Sequence, residues 1–112
     1  LRRLIRFIFS ESFMGYSYSE PLFAPGRLLV SDEVMESIPD YMRYLRRHLS
    51  GDWGTVCEHN AWENQKAVSS GDEILSLYPV TLADGTTKDL CVMTEKCRTY
   101  TVMFFVSETT YS

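Results

Sequence analysis

The pattern of apolar and polar positions changes period twice along the chain. Residues 1–9 are an apolar run broken by arginines, and so short a run fits a strand or an irregular arm. Residues 11–25 hold Gly15, Pro21, Pro25 and several serines, which is loop composition. Leu28-Leu29-Val30 then reads as an edge strand over residues 26–30. From Ser31 the spacing becomes helical. Ser31 is a good N-cap, and the charges of Asp32 and Glu33 suit the positive end of a helix dipole, so a short helix covers Asp32–Ser37. Pro39 fits a helix's first turn but not its interior. A second helix is therefore predicted over residues 39–49, with Ile38, Tyr41, Met42, Leu45 and Leu49 on its buried stripe.

The stretch Arg47-His48-Leu49-Ser50-Gly51-Asp52-Trp53-Gly54-Thr55 joins this helix to the next. Gly51 supplies the left-handed residue that ends the first helix. Thr55-Val56-Cys57-Glu58 matches a capping box, in which hydroxyl and carboxylate satisfy the first backbone N–H groups. The helix that follows is predicted over residues 56–68, with Cys57, Ala61, Asn64, Ala67 and Val68 inward and Ser70-Gly71 ending it. Its small side chains permit close packing, with Trp53 or Trp62 as the wedge beside it.

From Glu73 the period becomes two. Ile74, Ser76, Tyr78 and Val80 alternate with Leu75 and Leu77, Asp84-Gly85 marks a hairpin, and Leu90-Cys91-Val92-Met93 forms the partner strand. A turn at Glu95-Lys96-Cys97 leads into residues 99–106, whose two faces are both largely apolar. Such a strand belongs in the centre of a sheet or between layers. The predicted fold is α+β: a helical N-terminal half packed on a three- to four-stranded antiparallel sheet formed mainly by the C-terminal half. Residues 1–21 read as an arm or extension, and residues 22–112 as a single domain.

Length and charge narrow the function classes. A chain of 112 residues buries one core without needing a staple. Its formal charge of −4 conceals Arg2, Arg3 and Arg6 in a first ten residues without an acid, which leaves −7 on the rest. An acidic body is a poor binder of nucleic acid, whose affinity rests on cations that displace counterions. Cys57, Cys91 and Cys97 are odd in number and lack CxxC spacing, so neither a disulfide framework nor a zinc site is expected, and the cytoplasm is the expected setting. Residues 4–9 are too few to span a bilayer. Because the chain begins with Leu1, its true start is expected upstream, or this end is foreign to the natural chain.

Gly26-Arg27, the Arg47–Gly54 junction, Glu63-Asn64, Ala67, Ile74-Leu75-Ser76-Leu77-Tyr78, Met93-Thr94-Glu95 and Arg98-Thr99-Tyr100-Thr101 together resemble a small bacterial family. Its members occur among plasmid and mobile-element genes and are often labelled plasmid-related protein. The resemblance runs from about residue 22 to the end. The chain departs from the family pattern at Cys97, where an aspartate usually precedes the arginine, and at Val106-Ser107-Glu108. Some members are labelled restriction-enzyme methylating subunits. Such a subunit needs a cofactor-binding α/β domain with a glycine-rich loop, which this sequence lacks.

The polar residues allow several readings. Arg47, Asp52 and Trp53 mark a binding or structural junction. His48 reads as a helix C-terminal cap or as a general base, its reference pKa of about 6.5 lying near neutrality. Glu95, Arg98 and His48 could serve as acid, phosphate clamp and base of a metal-independent ribonuclease or toxin-like enzyme. His59, with Cys57 or Glu63, matches no metal-site spacing, so no metal and no cofactor is expected. The favoured function is a small non-catalytic protein-interaction or regulatory module of a mobile element, with a protein partner of unknown identity and a homodimer through an exposed edge strand as one form. The alternatives are the small enzyme and an acidic decoy of a nucleic-acid-binding protein. No membrane association is expected.

Overall fold

The computed structural model describes residues 5–8 and 20–109. Strand β1 (Ile5–Ile8) is followed by β2 (Arg27–Ser31), α1 (Asp32–Ser37), α2 (Met42–Leu49), α3 (Glu58–Ser70), β3 (Ile74–Thr81), β4 (Thr87–Thr94) and β5 (Tyr100–Phe105). Short 3₁₀ turns cover Lys96–Arg98 and Val106–Thr109. The five strands form one sheet in the order β1-β2-β5-β4-β3.

An α+β fold is observed, but three details of the expected sheet are corrected. The sheet has five strands in place of three or four, because β1 adds to the β2 side. The sheet is mixed, because β2 and β5 run parallel, Leu28 beside Thr101 and Val30 beside Met103. β2 is also not an edge strand: it lies between β1 and β5. A parallel pair needs a long crossover, and here the chain from α1 through β4 supplies it. The expected central position of the last strand is observed.

Period-two alternation sends Leu28 and Val30 of β2, Ile74, Tyr78 and Val80 of β3, Leu90 and Val92 of β4, and Met103 and Phe105 of β5 into one core. Onto this face pack Val34 and Ile38 around α1, and Tyr44, Leu45 and Leu49 of α2. Ser31 caps α1 as expected, accepting from the Val34 N–H at 3.1 Å. Its own hydroxyl donates to Glu108 Oε2 at 2.8 Å, which ties the C-terminal turn to the start of the helix.

Two helix boundaries differ from expectation. α2 begins at Met42, because residues 39–41 form a tight turn whose carbonyls at Asp40 and Tyr41 accept from Arg43 and Tyr44. α3 begins at Glu58 with Cys57 as its N-cap and no side-chain cap bond. Thr55 does not form the capping box: its N–H donates to the Leu77 carbonyl at 2.8 Å, and its hydroxyl points to the same oxygen. A backbone partner in a strand 22 residues away outcompetes the local cap.

That contact belongs to a wider arrangement along the free edge of β3. Leu75, Leu77, Pro79 and Thr81 turn their backbone groups outward. The Asn64 side chain imitates a neighbouring peptide at the first of these, accepting from Leu75 N–H at 3.1 Å and donating to Leu75 O at 2.8 Å. Residues 53–55 pair with the second, Leu77 N–H donating to the Trp53 carbonyl at 3.2 Å. Pro79 has no N–H to offer. Gly54 makes the pairing possible. Its φ is +72°, and a Cβ there would lie 1.8 Å from the Leu77 carbonyl oxygen.

Candidate functional site

Four side chains form a polar line through the core. His48, fully buried on α2, places Nδ1 2.7 Å from Ser76 Oγ and Nε2 2.9 Å from Thr94 Oγ1. Thr94 meets Thr101 at 2.7 Å, and Thr101 donates to the Pro25 carbonyl at 2.7 Å. Proton counting fixes the directions. Thr101 commits its single proton to Pro25, so Thr94 donates to Thr101 and His48 Nε2–H donates to Thr94. Burial keeps the ring neutral, so Nδ1 carries no proton and accepts from Ser76. Burial pushes the His48 pKa down to about 3, and the nearby positive charge of Arg98 adds to this. The Phe23 and Trp53 rings close over it at centroid distances of 5.3 and 6.1 Å.

Glu95 and Arg98, the other two residues of the enzyme reading, also have partners within the chain. The Arg98 guanidinium donates to the carbonyls of Ala67 at 2.6 Å and Asp72 at 2.7 Å, capping the C-terminus of α3. Cys97 N–H donates to the Gly71 carbonyl at 2.9 Å. These bonds hold the turn although Cys97 and Arg98 both have left-handed backbone, with φ of 63° and 57°. Glu95 accepts from the Lys96 N–H and from the Tyr100 hydroxyl. The His48 ring is closed off from solvent, and the Arg98 guanidinium is engaged by backbone carbonyls.

Arg47, Asp52 and Trp53 do converge. Arg47 Nε donates to Asp52 Oδ2 at 2.6 Å, and Asp52 Oδ1 accepts from the Gly54 N–H at 3.2 Å. The Arg47 bond and the Gly54 N–H hold the Asp52 carboxyl below the usual range. The Arg47 guanidinium also lies 4.5 Å over the Tyr78 ring, whose hydroxyl donates to the Asp52 carbonyl at 2.6 Å. Trp53 is buried as a wedge against Phe23. All these partners lie within the chain, while the Arg47 and Asp52 side chains stay 44% and 46% exposed. Trp62 instead projects outward from α3, with Lys66 Nζ 4.0 Å from its ring centre.

The surface that sequence reasoning did not single out is the sheet's second face. Register puts Leu29, Val102, Met93 and Leu75 in one row across β2, β5, β4 and β3, with Phe104, Cys91 and Leu77 in the next and Tyr100 beside Arg27 at one end. None of these belongs to the core cluster. Leu29, Leu75, Leu77, Met93, Tyr100 and Phe104 are half-buried. Among the described residues the helices lie on the opposite face or, as α3 does, along the β3 edge. The signal was present in the sequence, as apolar residues at both phases of β3 and of the last strand.

A mixed α+β domain with its described helices on one face of the sheet or along the β3 edge, and an apolar second face, is the class of protein that these features define. Searches with the chain matched no family model, no curated protein and no solved structure. Among the described residues no helix is long and apolar enough to cross a membrane, and no group of three or more His, Cys, Asp or Glu could hold a metal ion.

Proposed function

We propose that the domain is a non-catalytic protein-interaction or regulatory module that works through the second face of its sheet. The observation that carries this reading is the row of half-buried apolar side chains on that face, outside the core cluster. An apolar row outside the core is surface that a partner can bury. The occupied state of His48, Glu95 and Arg98 argues in the same direction. The resemblance of the sequence to plasmid-related proteins adds a bacterial mobile element as the setting of the proposal, and the cysteine count adds the cytoplasm.

Methyl NMR of the full chain with a soluble paramagnetic agent tests the proposal. Methyls of Leu29, Leu75, Leu77 and Met93 should relax several-fold faster than those of Leu28, Leu45 and Leu90. Equal protection of the two sets would mean that the face is already closed, and the interaction reading would fail.

A further inference from the structure

We infer that the sheet's second face is a docking site for one short, basic amphipathic helix of a partner protein. The inference rests on the proposed interaction role and names the occupant.

Size comes first. Four strands spaced about 4.8 Å apart are roughly 14 Å across, and the apolar part of β4, between Asp89 and Glu95, is about 20 Å long. The resulting ~280 Å² across β2, β5, β4 and β3 is well below the ~800 Å² per partner of a standard protein–protein interface and matches a single peptide-sized element. A helix about 10 Å wide and some 13 residues long covers such a patch. Its anchors at i, i+3, i+4 and i+7 can meet Leu29, Leu75, Leu77, Met93 and Phe104.

Charge selects the helix. Glu73 and Glu95 stand at one end of the face and Asp89 at the other, opposite Pro79. Beside Leu75, a hollow of about 230 Å³ is lined by Glu63, Glu73, Asn60 and Asn64. Arg27 and Lys96 are cations at the first end, yet the two titratable groups on the face both sense carboxylates. Tyr100 is pushed up by burial and by Glu95 and Glu73, and Cys91 by burial and by Glu73. A nucleic acid or an anionic membrane would be repelled by these carboxylates, and so would the same face of a second copy. A helix with an apolar stripe flanked by Lys or Arg satisfies both requirements.

The test uses isotope-labelled full chain and three synthetic probes of about 14 residues, long enough for such a helix. The first has leucines at helical i, i+3, i+4, i+7 spacing with lysines elsewhere, the second replaces lysine by glutamate, and the third scrambles the first. The Leu/Lys helix should bind about tenfold or more tightly than either control and shift the signals of Leu29, Leu75 and Met93, since both apolar pattern and charge are read. A Glu73→Gln/Glu95→Gln variant with an unchanged melting temperature should bind it about three- to tenfold more weakly at low salt. Equal binding of the acidic or scrambled probe, shifts centred on Trp62, or no binding would each overturn the inference. If the face methyls are solvent-open but no probe binds, the helix is excluded and the interaction role survives. If they are already shielded, both fall.

Discussion

The neutral His48 ring, enclosed by Ser76, Thr94, Phe23 and Trp53, couples folding to pH. The unfolded chain takes up a proton at this residue below its ordinary pKa of 6.5, whereas the folded chain resists until about 3. Stability is therefore fully present above 6.5 and is lost as pH falls towards 3, where the native ring itself protonates. Between about pH 6.5 and 4.5 the loss from this one group is about 2 kcal/mol. Denaturant titrations of wild type and His48→Gln across that range separate it from the carboxylates, which both proteins share. The variant should be about 1–3 kcal/mol less stable near neutrality, from weakened buried hydrogen bonds, but its pH slope should be shallower. Parallel profiles would show that the native ring is solvated. The burial was legible in part. His48 sits three and four residues after Leu45 and Tyr44 and so extends the α2 stripe, but its arginine neighbours give the same segment the look of a solvated helix end.

At the scale of elements, the β3 edge shows what local patterning conveys and what it leaves out. Alternation placed Ile74, Ser76, Tyr78 and Val80 on one face correctly, because that depends only on the two-residue period. It could not say which strands are neighbours, so the parallel β2–β5 pair was not foreseen. Nor could it show that Thr55 would bond to Leu77 rather than cap α3. The edge itself is closed by Asn64, by residues 53–55 and by Pro79. Removing the first device with Asn64→Ala should cost about 1–3 kcal/mol, since the Leu75 N–H and C=O both lose their partners. Adding Pro79→Val restores an outward N–H in a strand-forming residue, and an open edge recruits other chains. Sedimentation velocity should then show the double variant associating at concentrations where wild type keeps one sedimentation coefficient. A double variant that sediments like wild type would mean that other groups guard this edge.

Across the whole molecule, the three thiols sample three regions and report how firmly the second face is held. Cys57 is exposed at the start of α3 and Cys97 in the turn before β5, while Cys91 is only 3% exposed at the centre of the face, opposite Leu77 and Phe104. The number and spacing of the three cysteines are legible in the sequence, but this division is not, because it depends on which register partners flank each one. Burial pushes the Cys91 thiol up to about 12 from an ordinary 9.0. At about pH 8 its thiolate fraction falls from roughly one in ten to roughly one in ten thousand, and the thiolate is the reacting form. An aromatic disulfide reagent should therefore modify two thiols quickly and the third about a thousandfold more slowly, with all three alike in denaturant. A docking platform differs from a loosely packed surface in this respect: its outer methyls meet solvent while the atoms beneath them do not. Slow Cys91 modification together with solvent-open Leu75 and Met93 methyls would identify a rigid platform. A fast third thiol in the native protein would mean that the β4 face opens readily, and a helix could then bind only by first ordering the sheet.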